Sequence, residues 1–154
     1  MLFDPDIPRT LVLELDLPIR WGDMDMMGHV NNVTYFRYLE QGRISWFDAL
    51  RARGEANQGI VVVNAFCEFL KELKYPGTVR LRLYTAQIGR SSVQTLAEMS
   101  HSNDPDTVHA RGGAKVVWID RRLKKSVPWP DDVKALLTRR ADVDPVSGIA
   151  RLRD

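Results

Sequence analysis

The sequence contains a single cysteine, Cys67, in 154 residues. An internal disulfide is therefore excluded, and so is a zinc site built on several cysteines. Such sparing use of cysteine agrees with a reducing, cytoplasmic setting. No apolar run approaches the roughly 20 residues that a membrane helix needs. The opening stretch, Met1 to Arg9, has neither a basic start nor an apolar core, so it does not read as a signal peptide. Charge of one sign is also lacking. The 22 Lys and Arg residues nearly balance 20 Asp and Glu, which argues against a general nucleic-acid or membrane-surface binder. Walker-type phosphate loops, GxGxxG, GxSxG, HExxH and CxxC motifs are absent, which removes support for common nucleotide hydrolases, dinucleotide dehydrogenases, serine hydrolases and zinc peptidases. There is no internal repeat and no low-complexity segment.

What remains is an ordinary globular composition, 44% hydrophobic and 27% charged. A chain of this length buries roughly 70% of its unfolded surface without a staple. It is expected to form one domain over residues 1–154, with a core over about 11–138 and a loose tail over 139–154. The charge is unevenly placed. Residues 1–30 hold six acids (Asp4, Asp6, Glu14, Asp16, Asp23, Asp25) against Arg9 and Arg20. Residues 111–125 hold six bases (Arg111, Lys115, Arg121, Arg122, Lys124, Lys125) against Asp120. The basic stretch is either a solvated strand end and turn or a receiver of phosphates.

Leu11 to Arg20 alternates in part and reads as a first strand. Two glycines and several Asp and Asn residues mark Trp21 to Asn32 as a loop. Asn31 or Asn32 is suited to cap the helix that follows, from about Val33 to about Arg51. Phe36, Leu39, Arg43, Trp46, Phe47 and Leu50 recur at helical spacing on one face. Gly42, inside that helix, marks a close approach to a sheet, and Gly54 is a candidate stop. Four strands follow with no helix between them: Ile60 to Leu73, Thr78 to Ile88, Ser92 to Ser100 and Thr107 to Asp120. In the second of these, Val79, Leu81, Leu83 and Thr85 alternate with Arg80, Arg82 and Tyr84. The short link Gly89-Arg90-Ser91 makes an antiparallel hairpin. Gly112-Gly113 suggests a bulge or bend in the last strand. Pro130 opens a short helix from Asp131 to about Arg140. One helix wrapped by a curved antiparallel sheet is the simplest packing for this order.

The chemistry concentrates in the loop from Asp23 to Asn32. Asp25 lies a few residues before a helix N-terminus, where free backbone N–H groups and the positive dipole end are found. A carboxylate beside such an end could attack an acyl carbonyl, or activate a water, while the N–H groups bind the developing oxyanion. An Asx turn or a cap is the structural alternative. Asp23, Asp25 and His29 match no standard metal spacing. Cys67, within a strand, reads as a small buried hydrophobe. Met24, Met26 and Met27 either shape an acyl pocket or pack the loop. Tyr35 and Phe36 are either core or acyl-tunnel residues.

The stretch R-W-G-D-M-D-M-M-G-H-V-N-N-V-T-Y-F-R-Y-L-E, Arg20 to Glu40, resembles the signature of the 4-hydroxybenzoyl-CoA thioesterase-like acyl-CoA thioesterases. The resemblance extends over about Leu11 to Pro130. It implies an α+β hot-dog fold, with a long central helix wrapped by about five antiparallel strands and a short C-terminal helix. It implies hydrolysis of an acyl-CoA thioester to a carboxylic acid and free CoA, without metal or cofactor. Asp25 matches the family's catalytic aspartate, which serves as nucleophile or general base, and His29 matches a position often histidine. Gly28, Asn31 and Asn32 fall in the segment that binds the thioester oxygen, while Asp23 matches a residue that holds the turn. Arg90, Ser91 and Ser92 fall on a hairpin that often contacts CoA, although a solvated arginine is the alternative at Arg90. The implied partners are an acyl-CoA or acyl-carrier-protein substrate and a second copy of the chain, as a homodimer or homotetramer. A non-catalytic acyl-CoA or carrier-protein binding module and a hot-dog dehydratase or hydratase are the competing functions.

Overall fold

A computed structural model describes residues 2–50 and 56–154. Strand β1, Thr10–Pro18, is followed by a single 3-10 turn at Trp21–Asp23 and by helix α1, Asn32–Leu50. Then come β2 (Gln58–Phe69), β3 (Thr78–Ala86), β4 (Ser92–His101), β5 (Ala110–Asp120) and the two-residue β6 (Lys125–Ser126). Helix α2, Asp131–Lys134, precedes β7 (Ala141–Val143) and β8 (Ala150–Leu152). The main sheet is antiparallel in the order β1-β3-β4-β5-β2, with β6 on β5. The expected helix-on-sheet architecture of the hot-dog fold is thus present. The candidate helix stop, Gly54, lies outside the described residues.

The alternation read in β3 is what places the core. Val79, Leu81, Leu83 and Thr85 are buried on the inner face, while Arg80, Arg82 and Tyr84 face outward. Cross-strand pairing carries that inner face through Ala97 and Met99 of β4 to Ala110 and Ala114 of β5. These small residues make a shallow bed for the helix. A Cβ on Gly42 would lie 2.8 Å from Leu81 Cδ2, so the close approach expected at Gly42 is real.

The buried face of the helix differs from the expected stripe. Its buried line is Tyr35, Tyr38, Leu39, Gly42, Ser45, Trp46, Ala49 and Leu50. Phe36 is exposed and Arg43 only partly covered, so the expected stripe is displaced about one residue round the helix.

Gly112 and Gly113 do not form the expected bulge. β5 pairs through both of them, and the irregularity lies in the partner strand, between Val62 and Asn64. The glycines answer to packing instead. A Cβ at Gly112 would lie 2.7 Å from Leu39 Cδ1 and 2.8 Å from the Phe66 carbonyl oxygen, and one at Gly113 would strike the Phe66 ring at 2.7 Å.

Among the described residues, both terminal segments are built into the fold. Phe3 is buried on the outer face of the sheet with Ala86 and Leu96, and the Arg9 and Arg111 guanidinium groups lie 5.5 and 5.3 Å from its ring centre. Helix α2 stops at Lys134, short of the expected Arg140, and the chain continues in turns with Leu137 buried. Residues 139–154, expected as a loose tail, instead contain the β7–β8 hairpin. Arg153 grips Asp142 at 2.7 and 2.9 Å, and Ala141 and Ala150 are buried. β7 lies beside β1 and β8 beside α1. The opposite edge, β2, carries no further strand among the described residues, and Val62, Val63 and Phe69 are exposed along it.

Candidate active site

Residues 19–31 connect β1 to α1 and are anchored at several points. The Ile19 N–H donates to the Gly77 carbonyl at 2.9 Å, anchoring the loop at the start of β3. One Asp23 carboxylate oxygen accepts from the Arg20 N–H at 2.9 Å and from the Tyr38 hydroxyl at 2.7 Å. The Asp23 carbonyl accepts from the Asn31 N–H at 2.9 Å. Asp23 therefore holds the turn, and Tyr38 ties it to the helix. Burial first, then the bond to Asp23, push the Tyr38 phenol pKa well above its ordinary value.

Between those anchors sits a tight turn. The Asp25 N–H donates to the His29 carbonyl at 2.9 Å, and the Gly28 N–H donates to the Asp25 carbonyl at 3.1 Å. Gly28 has φ +74°, a left-handed conformation that favours glycine. Asp25 Oδ1 accepts from the Met27 N–H at 2.9 Å. The other carboxylate oxygen has no protein partner among the described residues, and the side chain is exposed. The Val30 N–H donates to the Leu73 carbonyl at 2.8 Å, which joins the loop to the segment after β2.

Helix α1 begins with a side-chain cap, as Asn31 Oδ1 accepts from the Val33 N–H at 2.9 Å. This settles which asparagine caps. The N–H groups of Gly28 and Asn31, two of the expected oxyanion-segment residues, donate within the loop to the Asp25 and Asp23 carbonyls, at 3.1 and 2.9 Å. The N–H groups of His29 and Asn32 have no protein partner among the described residues. Both residues line a cavity of about 250 Å³, with Val30, Tyr35, Phe69, Leu70, Lys71 and Glu72. Asp25 stands in the same turn but does not line the cavity.

The cavity wall formed by residues 69–72 is held from behind. The N–H groups of Leu70 and Lys71 both donate to the His109 carbonyl at 2.9 Å, and Lys71 Nζ reaches Asp104 at 2.8 Å. Tyr35 is edge-on to Phe69, with ring centres 4.9 Å apart, and its hydroxyl accepts from the Leu73 N–H at 3.2 Å. Burial pushes the Tyr35 pKa up, and the nearby Glu72 and Asp25 charges add to the rise. Cys67, on β2, has its thiol pKa pushed up to about 12 by burial, which leaves it without thiolate character at neutral pH. Among the described residues, no three His, Cys, Asp or Glu side chains converge as a metal-ligand set. No described helix is long and apolar enough to cross a membrane.

Arg90, Ser91 and Ser92 lie elsewhere. Pro18 pairs with Thr78 and Thr10 with Thr85, so the Asp25 loop leaves one end of the sheet and the β3–β4 hairpin closes the other. Over the nine residues of β3 those ends are roughly 26 Å apart. Within one chain Arg90 therefore does not meet Asp25. The hairpin carbonyls are occupied: Arg90 O and Ser91 O accept from the N–H groups of Trp129 and Trp118, at 3.0 and 2.8 Å. The Arg90 side chain is exposed at the same sheet end as the basic turn Arg121–Lys125. Tyr35, one of the two residues expected as core or acyl tunnel, is buried and lines the cavity, whereas Tyr38 and the wall at 69–72 carry no signal that the sequence made plain. A second tyrosine three residues after Tyr35 on the helix was the available sign of Tyr38; nothing local announced that Val30 would meet Leu73.

The model of the thioesterase-like superfamily matches residues 19–137, from the start of the pinned loop to the buried Leu137. The chain belongs to that superfamily. It is 32% identical over 120 residues to the protein YsmA of Bacillus subtilis, covering 77% of this chain and 80% of that one. The structure of the PA2801 protein, a candidate thioesterase from Pseudomonas aeruginosa, is similar with a TM-score of 0.75 at 38% identity, covering 82% of this chain and 98% of that one. A candidate acyl-CoA thioesterase from Xanthomonas campestris is similar with a TM-score of 0.67 at 30% identity, covering 77% and 99%. For this superfamily member, thioester chemistry is the setting in which the loop is to be read.

Proposed function

We propose that the chain is an acyl-CoA thioesterase, hydrolysing an acyl-CoA to a carboxylic acid and free CoA. The observation that carries this reading is the pair of uncommitted N–H groups of His29 and Asn32, on residues that line a cavity, beside a carboxylate with one free oxygen. In the reaction the thioester carbonyl oxygen accepts from those two N–H groups. Their alignment is paid in advance by the Asn31 cap and the Asp23 anchor, so little reorganisation is needed as negative charge develops. Asp25 either attacks the carbonyl carbon, giving a mixed anhydride that water then opens, or takes a proton from a water that attacks directly. The C–S bond breaks on collapse of the tetrahedral intermediate, and the departing CoA thiolate takes up a proton. The His29 imidazole has no partner among the described residues and is available to hydrogen-bond the substrate.

A second copy completes this site. β2 is the open sheet edge, and a two-fold axis there pairs β2 with itself in antiparallel sense. That pairing sets the Gln58 end of the second copy beside the Phe69 end of the first. Through β5, the Gln58 end is also the end of Arg90, Ser91, Ser92 and the basic turn. The basic residues at that end, roughly 26 Å from the Asp25 end of their own chain, are thereby brought to the same end as the Asp25 loop of the other copy, where they can receive the phosphates of CoA. The test is thiol release from a panel of acyl-CoAs together with molar mass by light scattering. Release by a species of at least two copies supports the reading. Binding with no release from any acyl-CoA replaces it with a non-catalytic binding module, and a monomer contradicts the shared site.

A further inference from the structure

We infer that Tyr35 is the specificity-determining residue for acyl length, closing the inner end of the cavity so that the site takes short-chain acyl groups. The inference rests on the thioesterase reading and names the substrate class for that same site. Of the eight residues lining the cavity, only Val30 and Tyr35 are buried, at 2% and 3% exposure. They are its floor. Lys71, Glu72, Phe69 and Leu70 form an accessible rim. A second copy on the β2 edge adds to that rim and leaves the floor unchanged.

The floor is also stiff. Leu73 holds both of its residues, accepting from the Val30 N–H and donating to the Tyr35 hydroxyl. Leu73 is itself fully buried, and Phe69 braces the Tyr35 ring edge-on. Tyr35 therefore cannot swing aside without breaking a hydrogen bond to a buried backbone group, which is a costly loss. Within one chain the cavity has a volume of about 250 Å³. An acyl chain that runs inward from the His29 and Asn32 N–H groups meets the phenol. Each methylene that does not fit a rigid pocket costs roughly tenfold or more in kcat/KM.

The test is kcat/KM for acyl-CoAs from acetyl to palmitoyl, with dissociation constants for the matching non-hydrolysable thioether analogues, in wild type, Tyr35→Ala, Tyr35→Leu and Tyr35→Phe. Wild type is expected to favour the short members. Tyr35→Ala is expected to raise kcat/KM for octanoyl-CoA relative to acetyl-CoA by about tenfold or more. Tyr35→Leu, which keeps more of the core filled, shows the same direction if the alanine variant does not fold. Tyr35→Phe retains the ring and keeps the wild-type length profile. A wild type equally active on palmitoyl-CoA overturns the inference, as does an unchanged profile in folded Tyr35→Ala or Tyr35→Leu. Length-selective analogue binding that shifts in these variants, with no turnover, supports the inference and overturns the thioesterase reading. Neither binding nor turnover overturns both.

Discussion

Removal of one oxygen atom, in Tyr38→Phe, tests how the candidate catalytic loop is held. The Tyr38 hydroxyl donates to Asp23 at 2.7 Å, and Asp23 in turn receives the Arg20 N–H and, through its carbonyl, the Asn31 N–H. Hydrogen bonds to charged groups contribute about 1.5–3 kcal/mol. Asp23 is only half-buried and keeps one N–H donor, so a loss of roughly 1–2 kcal/mol is expected. For a chain of this length that corresponds to a fall in Tm of roughly 2–8 °C. Phenylalanine retains the ring, so no cavity opens and the loss reports the bond alone. The loop carries Asp25 two residues after Asp23, and a shift of about 1 Å at such a site can cost up to a hundredfold in rate. The assay is thermal unfolding together with thiol release, run on Tyr38→Phe, Asp23→Ala and the double variant. A coupling of about 1 kcal/mol between the two positions is expected, because they share one contact. Additive effects, or a Tyr38→Phe protein unchanged in both Tm and turnover, refute the anchoring role.

Gly112→Ala should lower stability by roughly 1–3 kcal/mol, because its methyl meets Leu39 of the helix and the rigid Phe66 carbonyl; an unchanged Tm would show that the helix bed has slack. Asn31→Ala removes the cap of α1 and should cost about 1 kcal/mol, read by denaturant titration, whereas an unchanged midpoint would remove Asn31 from the capping role. The pH dependence of Tm follows from named groups. The Lys71 bond holds Asp104, and the Leu123 and Arg122 N–H groups hold Asp120, below the usual carboxylate range. Their stabilisation is present at neutral pH and is lost as pH falls below about 4. Tyr35, Tyr38 and Tyr84 have raised values, so their contribution is present below about pH 10 and is lost above it. A Tm that rises outside that window contradicts the assignments.

The parts of the fold that were legible in the sequence are those written in local periodicity. β3 announced itself by strict alternation, and its inner residues define the core. The β3–β4 hairpin was legible from a short turn between alternating runs, and the start of α1 from the capping asparagine. What stayed hidden depends on neighbours far along the chain. Phe36 and Tyr35 fit a helical stripe equally well, and the one that faces inward meets partners far along the chain, with Leu73 and Phe69 on Tyr35 and Leu81 under Gly42. The glycines of β5 look like a bend until Leu39 and Phe66 are seen occupying their space. The three-residue strands β7 and β8 are too short to carry a period, and their partners, β1, α1 and the Arg153–Asp142 pair, lie far along the chain or across the hairpin. The Asp25–His29 turn was readable as chemistry. Which N–H groups remain free was not, since that depends on the Asp23, Asp25 and Leu73 carbonyls that consume the others.

The central claim is that Asp25 performs thioester hydrolysis beside the N–H groups of His29 and Asn32. It is tested most directly by thiol release from acyl-CoA in wild type and Asp25→Asn at equal concentration, with unfolding curves for both. Asparagine is nearly isosteric and its carbonyl can still accept from Met27, so the fold should be retained. The account predicts turnover in wild type and a loss of about a hundredfold or more in a folded Asp25→Asn protein, the scale of a general base or nucleophile. Turnover within a few-fold of wild type in folded Asp25→Asn would contradict it.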